Sequence, residues 1–127
     1  MSNMKTPLKN VRGLGSARAG TEHFLHQRLT AIANIPLVLF LIWFIVSHQG
    51  ASRADVIISL KNPLVAVALL AAVVNIFWHM RIGLQTVIED YVHTESRKLA
   101  LLALNLFYVT ILTAVGAYSI LKMGFGL

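Results

Sequence analysis

The chain of 127 residues contains no cysteine. That absence excludes disulfides, cysteine-ligated iron–sulfur clusters and thioether-attached haem from this chain, so any cofactor must be held through nitrogen, oxygen or packing. Charge is also scarce, at 13% of residues against 57% hydrophobic, with a mean hydropathy of +0.71. A soluble domain carries about 25% charged residues. No charged residue falls within 29–52, 62–80 or 99–121. A transmembrane helix needs roughly 20 predominantly apolar residues, so these windows read as three membrane spans. The remainder is too short for a separate soluble catalytic domain. A soluble single-core enzyme is thereby excluded, and any chemistry sits in or beside the bilayer.

What charge there is leans basic, with a formal net charge of +6. The basic residues neither cluster densely nor interleave with aromatics, so nucleic acid is not an expected partner. Lys5, Lys9, Arg12, Arg18 and Arg28 precede the first span with only Glu22 opposing them. Arg53 and Lys61 lie in the first loop, Arg97 and Lys98 in the second, and Lys122 near the end. By the positive-inside rule the N-terminus is expected to be cytoplasmic. The first 21 residues are basic and free of acidic residues, like a mitochondrial presequence, but they are Gly-rich and weakly amphipathic. A bacterial inner membrane is the expected location.

The predicted architecture is all-α, a single membrane-anchor domain over 1–127 with three spans running up-down-up. Residues 1–20, punctuated by Pro7, Gly13, Gly15 and Gly20, read as an extended basic arm lying on lipid or a partner. Residues 21–28 read as a short interfacial lead-in capped by Thr21, with Glu22 in its first turn. The spans are expected at about 29–47, 63–88 and 99–121, with a kink at Pro36 and with Pro63 opening the second. Residues 48–62 read as a loop.

Span two departs from a plain anchor. Its second half, WHMRIGLQTVIEDYVH, puts His79, Arg81 and Gln85 where leucine would serve. Ionisable groups at such depth are expensive, and His79, Gly83, Thr86 and Asp90 share one helical face. A neutral imidazole is a good axial ligand for haem iron, and a glycine one turn on lets a flat macrocycle approach the backbone. The alternative is a histidine hydrogen-bonded to a neighbouring helix. His23, His26, His48 and His93 read as solvated interfacial residues. A six-coordinate haem on His79 would need its second ligand from another chain, either a second copy or a different anchor. Arg28 and Arg81 could each pair with a haem propionate or reach phospholipid headgroups.

Glu89, Asp90 and Tyr91 follow at the inner interface. Tyrosine is common there for its amphipathic ring alone. The functional reading is a polar pocket for a quinone head group, because a phenol can donate to a quinone carbonyl and a carboxylate can help supply protons.

The stretch HMRIGLQTVIEDYVH, with the preceding GTEHFLHQRLTAIA, resembles the smaller hydrophobic membrane anchor of succinate dehydrogenase (respiratory complex II) of the alphaproteobacterial type. The pattern is a histidine, a glycine four residues on, and an Asp-Tyr pair eleven and twelve residues on, here His79, Gly83, Asp90 and Tyr91. The resemblance implies a complex of four different chains. A flavoprotein holding FAD oxidises succinate, and an iron–sulfur protein passes electrons to ubiquinone. The larger anchor, a cytochrome b chain, shares a haem b with this one. The resemblance further implies His79 as one axial ligand of the haem iron, Gly83 as its packing surface, Arg28 at a propionate, and Tyr91 with Asp90 at the ubiquinone head group. It would link the tricarboxylic acid cycle to the respiratory chain, with no flavin or dicarboxylate site in this chain.

Two other readings stand beside it. A small multi-span transporter could use His79 and Arg81, but proton-coupled carriers rely on an intramembrane carboxylate, and none of the three windows contains one. An anchor of a quinol:fumarate reductase or another cytochrome b chain would look much the same, with the opposite net direction set by redox potentials.

Overall fold

The structure is a computed structural model that describes residues 6–12 and 20–126, and every described element is helical. Helix α1 is Pro7–Arg12, α2 is Gly20–Ser47, α3 is Arg53–Leu60, α4 is Pro63–Tyr91 and α5 is Glu95–Phe125. The helices α2, α4 and α5 are each long and apolar enough to cross a membrane. The three-span, all-helical expectation therefore holds.

Several local expectations change. Pro7–Arg12, read as part of an extended arm, is helical; a proline at the first helical position is favourable because its missing N–H has no helical partner there anyway. The arm's remaining residues, 1–5 and 13–19, lie outside the described residues. The lead-in 21–28 is not a separate element but the first turns of α2, which runs unbroken from Gly20 through Pro36 to Ser47. Thr21 thus stands inside the helix and does not cap it. Glu22 does sit in the first turn, the favourable sign there.

The stretch 48–62 is not all loop. Ser52 accepts from the Asp55 amide and Asp55 bonds back to the Ser52 amide at 3.1 Å, a reciprocal capping box that starts α3. Gly50, at φ 76°, makes the turn ahead of it in the left-handed region that favours glycine. Asn62 then caps α4 by accepting from the Leu64 amide at 3.0 Å, with Pro63 as its first residue as expected. Helix α5 starts four residues earlier and ends four residues later than its charge-free window.

The long helices lie in a row with α4 in the middle. α2 packs on α4 and α4 on α5, while no Cα atom of α2 comes within 8 Å of one in α5 among the described residues. Apolar packing concentrates at the end of the bundle that carries α3. There Leu60, Ala66, Leu69 and Ile120 form the core, flanked by Phe40, Phe44 and Met123. Two glycines let the backbones close in. A Cβ on Gly116 would stand 2.9 Å from Val73 Cγ1, and one on Gly124 would stand 3.0 Å from the Leu60 carbonyl oxygen. α2 contains no buried residue, so its outward side is left for lipid or another protein.

Candidate functional site

Toward the opposite end, the contact between α2 and α4 changes character from apolar to polar. Asn75 donates its amide to the Thr30 carbonyl at 2.9 Å and to Asn34 Oδ1 at 2.7 Å. One turn further along α4, His79 Nδ1 meets the Thr30 hydroxyl at 2.9 Å. Polar side chains in a membrane helix gain most by facing another helix, and these four residues form one network across the pair. Both readings of His79 touch this geometry. It is hydrogen-bonded to a neighbouring helix through Nδ1, while its Nε2 takes no hydrogen bond among the described residues.

His79 also lines a cavity of about 330 Å³ together with Phe24, Gln27, Arg28 and Ala31. The structure thus brings together His79 and Arg28, which lie far apart in sequence. Arg28 stacks its guanidinium 5.2 Å from the Phe24 ring centroid. Arg28 and Phe24 are exposed and His79 is half-buried, so the cavity opens on the surface of the α2–α4 pair. Gly83 follows one turn beyond His79, and a Cβ built on it would meet nothing within 4 Å. Asp90 and Tyr91 stand exposed in the last turn of α4, with Tyr91 at 79%. At 1.5 Å per residue Asp90 lies about 16 Å along the axis from His79. Thr86 bonds its own helix at Ile82 O, 3.1 Å away.

Arg81 points away from this cavity toward α5. Its guanidinium stacks 4.9 Å from the Trp78 ring centroid, and its carbonyl accepts from Asn105 at 3.0 Å. Gln85 donates to Glu89 at 2.8 Å. Two of the histidines read as solvated are not. His48 meets the Phe44 carbonyl and Ser59 Oγ at 2.8 Å each, tying the end of α2 to α3. His23 is half-buried, with its Nε2 buried and without a hydrogen-bond partner among the described residues.

The donor set fits a haem whose iron takes a single nitrogen from this chain. An imidazole held at Nδ1 keeps the opposite nitrogen for a metal, a cation shares its cavity, and the backbone beside it is open. No three His, Asp or Glu side chains converge among the described residues.

Comparison with known proteins decides the family. A family model described as "Succinate dehydrogenase/Fumarate reductase transmembrane subunit" matches residues 2–114. The chain belongs to this family. Its relatives include the succinate dehydrogenase hydrophobic membrane anchor subunit of Rickettsia bellii, 31% identical over 88% of this chain and 90% of the relative. The protein of the same name from Paracoccus denitrificans is 27% identical over 95% of this chain and 93% of its own length. The succinate dehydrogenase membrane anchor subunit of Reclinomonas americana is 27% identical over 65% and 71%. No solved structure matches. As a member of the succinate dehydrogenase/fumarate reductase transmembrane family with three spans, the chain is a multi-pass membrane anchor and part of an enzyme complex.

Sequence reasoning singles out His79, Gly83, Asp90, Tyr91 and Arg28 but misses Thr30, Asn75 and Gln27. Asn75 does carry a signal, being a polar residue in a charge-free window one turn before His79 and so on the same face. Thr30 carries none, because threonine bonds its own helix so readily.

Proposed function

We propose that this chain is the smaller membrane anchor of a succinate:ubiquinone oxidoreductase in a bacterial inner membrane. In that role His79 would supply one ligand of a haem b, and the chain would line part of the ubiquinone-reduction site. Its partners are then a cytochrome b anchor, an iron–sulfur protein and a flavoprotein. The observation that carries the reading is the state of His79: Nδ1 held from α2, Nε2 unengaged, and a cavity shared with Arg28.

When bound, the haem would supply a one-electron redox centre. The residues of this chain act around it. His79 offers Nε2 to the iron, Arg28 offsets the charge of a propionate, and Gly83 leaves α4 open for close approach. At the end of α4, Tyr91 donates its phenolic hydrogen to a quinone carbonyl, and Asp90 holds a proton within reach of the reduced head group. The basic residues that flank α2 and the α4–α5 turn support a cytoplasmic N-terminus, which puts Asp90 and Tyr91 on the cytoplasmic side. The names of the relatives support succinate oxidation over fumarate reduction as the net direction.

The test is purification of the complex in mild detergent, identification of the co-purifying chains, and a reduced-minus-oxidised spectrum after adding succinate. A b-type signal with a flavoprotein and an iron–sulfur protein is expected, and absence of the flavoprotein overturns the assignment. His79→Leu should abolish or alter the signal; an unchanged spectrum removes the ligand role.

A further inference from the structure

We propose that Thr30 is the positioning residue for His79, fixing which ring nitrogen carries the proton and holding the plane of the ring. The inference rests on the ligand reading above. It follows from counting hydrogens. A threonine hydroxyl has one hydrogen to give and two lone pairs with which to accept. Thr30 Oγ1 lies 2.8 Å from the His26 carbonyl and 3.1 Å from the Gln27 carbonyl. Carbonyl oxygens only accept, and we assign the single hydroxyl hydrogen to the shorter of these contacts, on the His26 carbonyl. Toward His79 Nδ1, at 2.9 Å, Oγ1 can therefore only accept. Nδ1 must carry the hydrogen, and the lone pair of the neutral ring stands on Nε2.

The threonine is itself held from the far side. Its main-chain carbonyl accepts from Asn75, whose amide also reaches Asn34. Asn75 lies one turn before His79 on α4, so α2 and α4 are pinned at two successive turns, and the second pin is the imidazole itself. Turning the ring over would set Cδ2–H against Oγ1, and moving the proton to Nε2 would set a bare nitrogen there, and either change loses the bond. A group that accepts from the outer N–H of a metal-bound histidine orients the ring and raises its basicity. Thr30 does both without adding a charge to the membrane interior.

The experiment compares Thr30→Val, which keeps the shape and removes the oxygen, with Thr30→Ser, which keeps the oxygen, in the intact complex. The readouts are haem content, the low-spin EPR g values and the haem midpoint potential. Thr30→Val should raise the potential, since a less basic imidazole favours the ferric state less, and should shift the g values. Thr30→Ser should return both toward wild type. If Thr30→Val does not accumulate, Thr30→Ala removes the same oxygen without added bulk and carries the same expectation. Full haem with wild-type potential and g values in an oxygen-free variant overturns the role of Thr30 and leaves the ligand reading intact. A wild-type spectrum in His79→Leu overturns the ligand reading instead.

Discussion

The Asn75 amide sits 2.7 Å from Asn34 Oδ1 and 2.9 Å from the Thr30 carbonyl, so one side chain of α4 closes two bonds on α2. Interhelical hydrogen bonds in membranes are worth about 0.6 kcal/mol on average and up to about 2. Phe40 and Phe44 hold one end of α2 on the apolar core, and this pair holds the polar end against α4. Asn75→Leu should therefore destabilise the α2–α4 pair by about 1–2 kcal/mol, within that range. Much of the loss is the stranded Asn34 amide. Thermal unfolding of the detergent-solubilised complex should show Asn34→Leu combined with Asn75→Leu costing less than the sum of the two singles. Strict additivity would show that the two residues do not act as a pair.

Close packing of α4 on α5 depends on Gly116. A methyl group there would come to 2.9 Å from Val73 Cγ1, and valine is stiff about χ1, so the helices must part or Val73 must leave its rotamer. Overpacking of this kind costs about 1–3 kcal/mol. Gly116→Ala regains up to about 1 kcal/mol from helix propensity, so Gly116→Leu is the clearer probe. Its loss of thermal stability should be partly restored by Val73→Ala in the same chain. If Val73→Ala leaves the loss unchanged, the contact is not the cause.

The three spans were legible because exclusion of charge is a property of composition and survives ignorance of packing. The axial pattern from His79 to Tyr91 was legible for a related reason: periodicity along one helix is fixed by the chain alone. Partners across helices were not, because they depend on how each helix is rotated about its axis. Thr30 and Asn75 meet only once that rotation is set, and His48 reaches Ser59 only because 53–60 is helical. The helix α3 itself is announced by Ser52 and Asp55, spaced as a capping box ahead of Val56, Ile57 and Ile58. Eight residues between two obvious spans nonetheless read as connection. That rule fails when the connection has its own cap and packs Leu60 into the core.

The same capping box gives α3 a pH dependence. Asp55 is held below its usual value near 3.8, first by the Ser52 hydroxyl and then by the Ser52 backbone amide. A carboxyl whose pKa is lowered by folding contributes stability above the unfolded value and loses it as pH falls through the folded one. Amide exchange in α3, corrected for intrinsic rates, should be pH-independent near neutrality and show loosening only below about pH 4, near the ordinary carboxyl value. Asp55→Asn should weaken the helix at neutral pH and flatten that profile. An unchanged acid profile in Asp55→Asn would assign the transition to another group.

Gly83 and Gly116 make opposite predictions from the same residue type. A Cβ on Gly83 meets nothing within 4 Å, so a side chain can leave the helix there without striking the chain's own packing at its first atom. On the proposed function, that open backbone faces the haem. Gly83→Leu should therefore leave the three-helix fold and its thermal stability within about 0.5 kcal/mol, as for a surface site, while lowering haem content. Equal haem content at normal stability would remove Gly83 from the haem surface.

Tyr91 carries the test of the quinone reading. It stands 79% exposed at the last turn of α4 with Asp90 beside it, so its ring adds little to the anchor's own stability. Tyr91→Phe removes only a hydroxyl. If that hydroxyl donates to the quinone carbonyl as the reduced oxygen gains charge, its loss weakens an interaction that strengthens during the reaction. One neutral hydrogen bond contributes about 0.5–1.5 kcal/mol, a loss of about two- to tenfold in ubiquinone reduction by succinate. Haem content should not change, since Tyr91 lies about 18 Å along α4 from His79. Succinate reduction of an artificial dye at the soluble proteins of the complex should stay normal, because on the proposed function Tyr91 serves the quinone step alone. Normal rates with both acceptors would show that Tyr91 is an interfacial tyrosine and no more.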